Sequence, residues 1–167
     1  MTGSSGVIEV VGVCGSGKST LTQALCAADG AEPAAFLQLK RPDHWIPAAS
    51  GAVRSLPLVG PALRARRLPD LEEAKQLAYL AAWHSKLASE GRKRRLVVDQ
   101  GPIYALGTFG RTLPSIAGTE PGGTWWTETI RRWAHTLAVI VWLDAPDDVL
   151  MERVRLRKAE HVIKRAD

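Results

Sequence analysis

The sequence predicts one α/β domain over residues 1–167, built as three layers with a parallel sheet flanked by helices. Short apolar runs bounded by turn residues alternate along the chain with helical patterns, as crossover-connected parallel strands require. A glycine-rich loop lies where the first strand hands over to the first helix. The 167 residues are 46% hydrophobic and 23% charged, enough for one sizeable core.

Strand one is expected over Val7 to Val11, and helix one over Lys18 to Ala28, with Leu21, Ala24, Leu25 and Ala28 on one face. Strand two is placed at Ala34 to Leu39. The stretch Arg41 to Pro69 is rich in proline and glycine and too long for an ordinary connection. It is read as a binding segment with short helical turns. Asp70 opens a clear helix with Glu73 as its capping-box partner; Leu77, Leu80, His84 and Leu87 form a stripe that ends at Gly91. Leu96 to Asp99 is the third strand. A helix from Thr124 to His135 groups Trp126, Ile130 and Trp133, Leu137 to Leu143 reads as a fully buried fourth strand, and a last helix begins near Pro146.

The most specific chemical signal is Gly12-Val13-Cys14-Gly15-Ser16-Gly17-Lys18-Ser19, a complete phosphate-binding (Walker A) loop in its strand-to-helix context. Successive backbone N–H groups must point inward around a polyphosphate, and glycine allows the positive φ and close approach this needs. Lys18 is expected to reach the β- and γ-phosphates, the Ser19 hydroxyl to ligate Mg²⁺, and the helix that carries Thr20 to aim its positive end at the anion. A second motif, Val97-Val98-Asp99-Gln100-Gly101-Pro102, puts an acidic residue at the carboxyl end of an apolar strand. There an aspartate meets the Mg²⁺ shell or the attacking hydroxyl, although a plain strand-ending turn has the same composition.

The net charge of +5 is dispersed over Arg64 to Arg67, Arg92 to Arg95 and Arg153 to Lys158 rather than gathered in one arm. The middle cluster reads as a solvated turn after a helix end, and moving a phosphoryl group between anionic partners itself demands arginines. Nucleic acid is therefore not an expected partner. No apolar span has membrane length, Met1 is followed by no leader-like segment, and two cysteines suit a reducing cytoplasm. Cys14 reads first as a small residue tolerated at a free loop position. Among the six tryptophans, Trp126, Trp133 and Trp142 are expected in the core, whereas Trp45 and Trp125 sit near turns where stacking on a planar substrate competes with partial burial. His84 reads as a packing residue.

Taken with Lys40-Arg41-Pro42-Asp43 after strand two, and with Leu143-Asp144-Ala145-Pro146 followed by Leu150, Arg153 and Arg157, these motifs resemble the thymidylate kinase and deoxynucleoside kinase branch of the P-loop NTPase superfamily. The resemblance spans nearly the whole chain. It implies an acceptor-binding segment at about residues 40–92 with contacts from Arg41, Asp43, Trp45 and Gln100, a magnesium or base role for Asp99 with Asp43 as second candidate, and a lid at about 150–167 whose Arg153 and Arg157 clamp the donor phosphates. Gln100 stands where these kinases place arginine, and the glycine-rich extension after their Arg-Glu-Pro motif is replaced by Asp43-His44-Trp45. Those kinases also continue past their lid into another helix and a fifth strand, so the C-terminal part of the fold is expected to be incomplete here.

The expectation is an ATP- and Mg²⁺-dependent kinase acting on a small-molecule acceptor, a nucleoside, nucleotide or related metabolite, with a homodimer allowed. The competing class is a P-loop ATPase or nucleotide-dependent switch working on a protein partner. It lacks support from a guanine-recognition signature or a water-positioning motif.

Overall fold

In the computed structural model, which describes residues 6–34, 41–64, 71–112 and 120–156, four parallel strands run in the order β2-β3-β1-β4. The strands are β1 (Gly6–Gly12), β2 (Glu32–Pro33), β3 (Arg95–Asp99) and β4 (Leu137–Leu143). Six helices accompany them among the described residues: α1 (Lys18–Asp29), α2 (Trp45–Arg64), α3 (Leu71–Gly91), α4 (Pro102–Thr112), α5 (Glu120–Ala134) and α6 (Asp147–Leu156). β1 lies between β3 and β4, with Val10 opposite both Asp99 and Val141. This register brings the ends of three strands together at the loop that follows Gly12.

Each face of the sheet has its own core. Val7, Leu96 and Val98 pack with Leu77, Leu80, Trp83, Leu87, Leu106 and Trp133 from α3, α4 and α5, while Val10, Val97 and Ala31 pack under Leu21 and Leu25 of α1. The period-two alternation Leu96-Val97-Val98 supplies both cores in turn. The expected stripe on α3 is present: Leu77, Leu80 and Leu87 are buried, and half-buried His84 meets the Trp133 ring edge-on. Trp133 also donates from its indole Nε1 to the Leu80 carbonyl at 3.0 Å, which satisfies its one polar atom within the core.

Five expectations are corrected. Strand two begins at Glu32, two residues before its expected start, because Glu32 and Pro33 pair with Leu96 and Val97; Ala34 follows the strand and donates to the Val97 carbonyl, and positions 35–39 lie outside the described residues. The segment after Arg41 is not a string of short turns. After a single 3-10 turn (Pro42–His44) it forms one 20-residue helix. Pro47 falls in the first turn, where its missing N–H costs nothing, and Gly51 touches α3 so closely that a Cβ there would lie 2.4 Å from the Ala78 carbonyl oxygen. Helix-on-helix packing thus stabilises a sequence that reads locally as a loop.

The tryptophan assignments also change. Trp133 is buried as expected, but of the neighbours Trp125 and Trp126 it is Trp125 that is buried, while Trp126 is 39% and Trp142 69% exposed. α5 starts at Glu120, four residues before the expected position. Among the described strands β4 lies at the edge of the sheet, with β1 on one side, and Val139 and Ile140 are half exposed, so it is not the fully buried strand expected. The capping position Asp70 lies outside the described residues. Among the described residues no helix is long and apolar enough to cross a membrane.

Candidate functional site at the phosphate loop

The loop begins where β1 ends. Gly12 has no room for a side chain: a Cβ there would stand 2.2 Å from the Leu143 carbonyl oxygen and 2.8 Å from Ser16 Oγ. Gly15 and Gly17 hold φ of +89° and +96°, a region that L side chains avoid. Ser16 turns inward, its N–H and hydroxyl both donating to the Val13 carbonyl. Lys18 Nζ donates to the same carbonyl at 2.8 Å, so its ammonium lies over the loop. Gly17 caps α1 with no side-chain hydrogen bond, and the first turn holds no acidic residue. The positive end of α1 is thereby left open toward the loop.

A cavity of about 830 Å³ opens above this loop, within the size range of small-molecule sites. Gly12, Val13, Cys14, Lys18 and Ser19 form one wall, and Asp99 with Gln100 forms the floor. Ile103, Tyr104, Gly107, Thr108 and Arg111 of α4 form the other wall, and Trp142 of β4 closes an edge. Asp99 is the only carboxylate among the described lining residues. Its Oδ1 is buried without a hydrogen-bond partner, a cost of about 1–3 kcal/mol for an ordinary buried polar atom. Gln100 sits at φ +55°, left-handed for a residue with a side chain, and its N–H donates to the Val10 carbonyl. That bond folds the end of β3 sharply into α4.

The donor set fits a magnesium ion. The Ser19 hydroxyl and the Asp99 carboxylate are hard oxygen donors facing one cavity, and the orphaned Asp99 oxygen has its hydrogen-bonding capacity unspent. Behind the loop, Arg153 of α6 donates from Nη1 to the Gly15 carbonyl at 3.3 Å and borders a shallower recess that also holds Gly17 and Thr20. Arg157 lies outside the described residues.

Of the sequence-predicted residues, the structure therefore brings together Gly12, Val13, Cys14, Lys18, Ser19, Asp99 and Gln100, with Arg153 against the loop from behind. It does not bring Arg41, Asp43 and Trp45 to this cavity. Arg41 grips Asp43 with two hydrogen bonds of 3.1 and 3.0 Å, and Lys86 of α3 stands 3.6 Å from the same carboxylate. The hydrogen bonds from Arg41 hold the Asp43 carboxyl below the usual carboxylate range. Lys86 is near the end of α3, and Gly91 packs on Gly6 and Val7 at the start of β1, so this ion cluster lies toward the sheet end opposite the loop. Trp45 is 58% exposed beside it.

The wall formed by α4 was not anticipated from the sequence. Its signal is there in retrospect: Tyr104, Gly107, Thr108 and Arg111 recur at helical spacing directly after the Asp99 motif.

No protein-family model matches the chain, and no curated protein matches it significantly. Among solved structures the chain is similar to deoxyadenosine kinase from M. mycoides with bound dATP, at a TM-score of 0.47 and 13% identity over 92% of this chain and 72% of that one. The likeness is in the path of the chain, and the chemistry of the site rests on its own residues.

Proposed function

We propose that the protein is an ATP-dependent kinase that transfers the γ-phosphoryl group to a planar, polar small molecule of the nucleoside or nucleotide class. The observation that carries this reading is Asp99: a carboxylate oxygen buried without a partner, on the floor of a cavity whose opposite wall is a phosphate loop with Lys18 and Ser19. A cavity that served only to hold a nucleotide would need no second wall of aromatic, hydroxyl and guanidinium groups. Tyr104 and Trp142 offer rings to a planar acceptor and Arg111 offers donors, while the Thr108 hydroxyl, which donates to the Tyr104 and Ala105 carbonyls of its own helix, offers its oxygen as an acceptor.

The loop amides and Lys18 bind and orient the triphosphate of ATP, and water is displaced from the cavity as both substrates enter. Mg²⁺, held by Ser19 and Asp99, would supply charge neutralisation on the phosphates. The acceptor oxygen attacks the γ-phosphorus as the bond from that phosphorus to the β–γ bridging oxygen breaks, and ADP leaves. Asp99 either completes that magnesium shell, the acceptor's proton then leaving to water, or takes the proton itself; Asp43 is spoken for by Arg41 and Lys86. Arg153, already against the Gly15 carbonyl, is placed to neutralise charge on the donor side.

The test is incubation of the full chain with labelled ATP, Mg²⁺ and a panel of nucleosides, nucleotides, sugars and antibiotics. A phosphorylated nucleoside or nucleotide is the expected product, lost by at least about a hundredfold in Lys18→Ala at unchanged circular dichroism. Release of free phosphate with no labelled acceptor would overturn the kinase reading in favour of an ATPase.

A further inference from the structure

Glu9 is a charged residue in the middle of an apolar strand, and it is fully buried. Its carboxylate reaches across to the first turn of α4. Ile103 N donates to both oxygens at 2.9 and 3.0 Å, and Tyr104 N donates to Oε1 at 3.2 Å. The first turn of α4 contains no acidic residue of its own, so its anionic cap comes from β1, 94 positions earlier in the chain. The junction is tight as well. A Cβ on Gly101 would lie 2.4 Å from Val98 Cγ1 and 3.3 Å from the Glu9 carboxyl carbon.

A helix cap alone does not need this arrangement. A serine, threonine or asparagine at the cap position satisfies the same amides without burying a charge, whereas an ionised carboxylate inside a core carries a large desolvation cost. What Glu9 adds is a connection. It stands three residues before Gly12 on the strand that becomes the phosphate loop, and it holds the helix that carries Tyr104, Thr108 and Arg111 into the cavity. The two walls of the site are thus joined through one side chain.

We propose that Glu9 is a positioning residue for phosphoryl transfer, a bolt between the phosphate-loop strand and the acceptor-facing helix α4. The inference rests on the kinase reading above for its catalytic consequence, though not for the coupling itself. Burial, opposed by the amides of Ile103, Tyr104 and Gly101, pushes the Glu9 carboxyl up to about 7. The bolt is therefore half charged near neutral pH. Among the described residues that charge is met by the α4 amides rather than by a cation: β3 and β4 set Val98 and Ile140 beside it, and Tyr79 of α3, its own phenol raised mainly by burial, is a titratable side chain that feels it.

The experiment compares the full-length wild type with Glu9→Gln, which keeps shape and one acceptor oxygen but never ionises, and with Glu9→Asp, which keeps the charge but shortens the reach. Binding of a nonhydrolysable ATP analogue should stay within about twofold of wild type in Glu9→Gln. The acceptor kcat/KM should fall at least tenfold at pH 8, and the inflection near pH 7 in the wild-type profile should disappear. Wild-type kcat/KM and an unchanged inflection in a folded Glu9→Gln would overturn the proposal, as would loss of ATP-analogue binding. Amide hydrogen exchange at Ile103 and Tyr104 is read on the same proteins with no acceptor present. A wild-type chain that phosphorylates nothing therefore defeats the kinase reading while the coupling is still decided. Faster exchange at those two amides in both variants supports the bolt, and equal protection overturns it.

Discussion

The carbonyl oxygen of Leu143 occupies the place where a side chain at Gly12 would begin, 2.2 Å from the Cβ position. The first glycine of the phosphate loop is thus demanded by the packing of β1 against the end of β4 as well as by the approach of a phosphate. Loop shape and sheet pairing are one constraint at this point.

From that contact, Gly12→Ala should destabilise the fold by about 1–3 kcal/mol, because the obstacle is backbone and cannot rotate away. Gly17→Ala has open space around its Cβ and meets only the strain of φ +96°, about 1–2 kcal/mol. Urea unfolding of both variants checks this, with Gly12→Ala expected to combine lost stability and lost ATP binding. A Gly12→Ala midpoint equal to that of wild type would contradict the geometry.

The buried Oδ1 of Asp99 has no partner, which costs stability, and the proposed function accounts for it as a group kept for catalysis. Asp99→Asn should lower turnover about a hundredfold and raise the Mg²⁺ concentration needed for half-maximal rate, while the thermal midpoint holds or rises. Magnesium titration and thermal unfolding on the same sample decide it. A large loss of stability would mean that the carboxylate is structural.

Glu9 makes stability depend on pH in a stated direction. Its carboxyl titrates near 4.5 when unfolded and about 7 when folded, so the native state holds the proton more tightly. Below the unfolded value the group contributes no difference; as pH rises from about 4.5 to 7 stability falls, by roughly 3 kcal/mol at most. Glu9→Gln should flatten that slope, which urea titrations at pH 5 and pH 8 measure. A wild-type slope retained in the variant would assign the effect to other groups.

Arg153 reaches the phosphate loop from α6. Arg153→Ala should raise the KM for ATP about fivefold or more and lower kcat, without loss of fold, because the arginine is exposed and makes one long hydrogen bond. Hydrogen exchange over residues 150–156 should slow when an ATP analogue and Mg²⁺ are added. Protection unchanged by a saturating analogue would remove α6 from the donor site.

Much of the fold was legible because its signals are local. The apolar run before Gly12, the helical spacing of Leu77, Leu80 and Leu87, and the strand Leu96 to Asp99 each follow from the preferences of contiguous residues. The failures are equally specific. The residues from Trp45 to Arg64 read as short helical turns in a binding segment because proline and glycine disfavour a long helix in isolation, yet Gly51 is what lets α2 approach Ala78 of α3. Trp142 and Ile140 read as core because an apolar strand is ordinarily covered on both faces, whereas among the described strands β4 lies at the edge of the sheet.

The sequence by itself determined the phosphate-binding loop. Gly12 to Ser19 are consecutive, and their function depends on backbone angles and residue types that a short segment carries wherever it folds. The wall of the cavity that faces the loop was decided by tertiary structure. Asp43 was drawn to Lys86 rather than to the cavity, and α4 became the facing wall because Glu9, 94 positions before Ile103, holds its first turn. Such pairings join residues far apart in the chain, and the free energy that selects them comes from burial and charge in the folded core, where spacing along the sequence no longer measures distance.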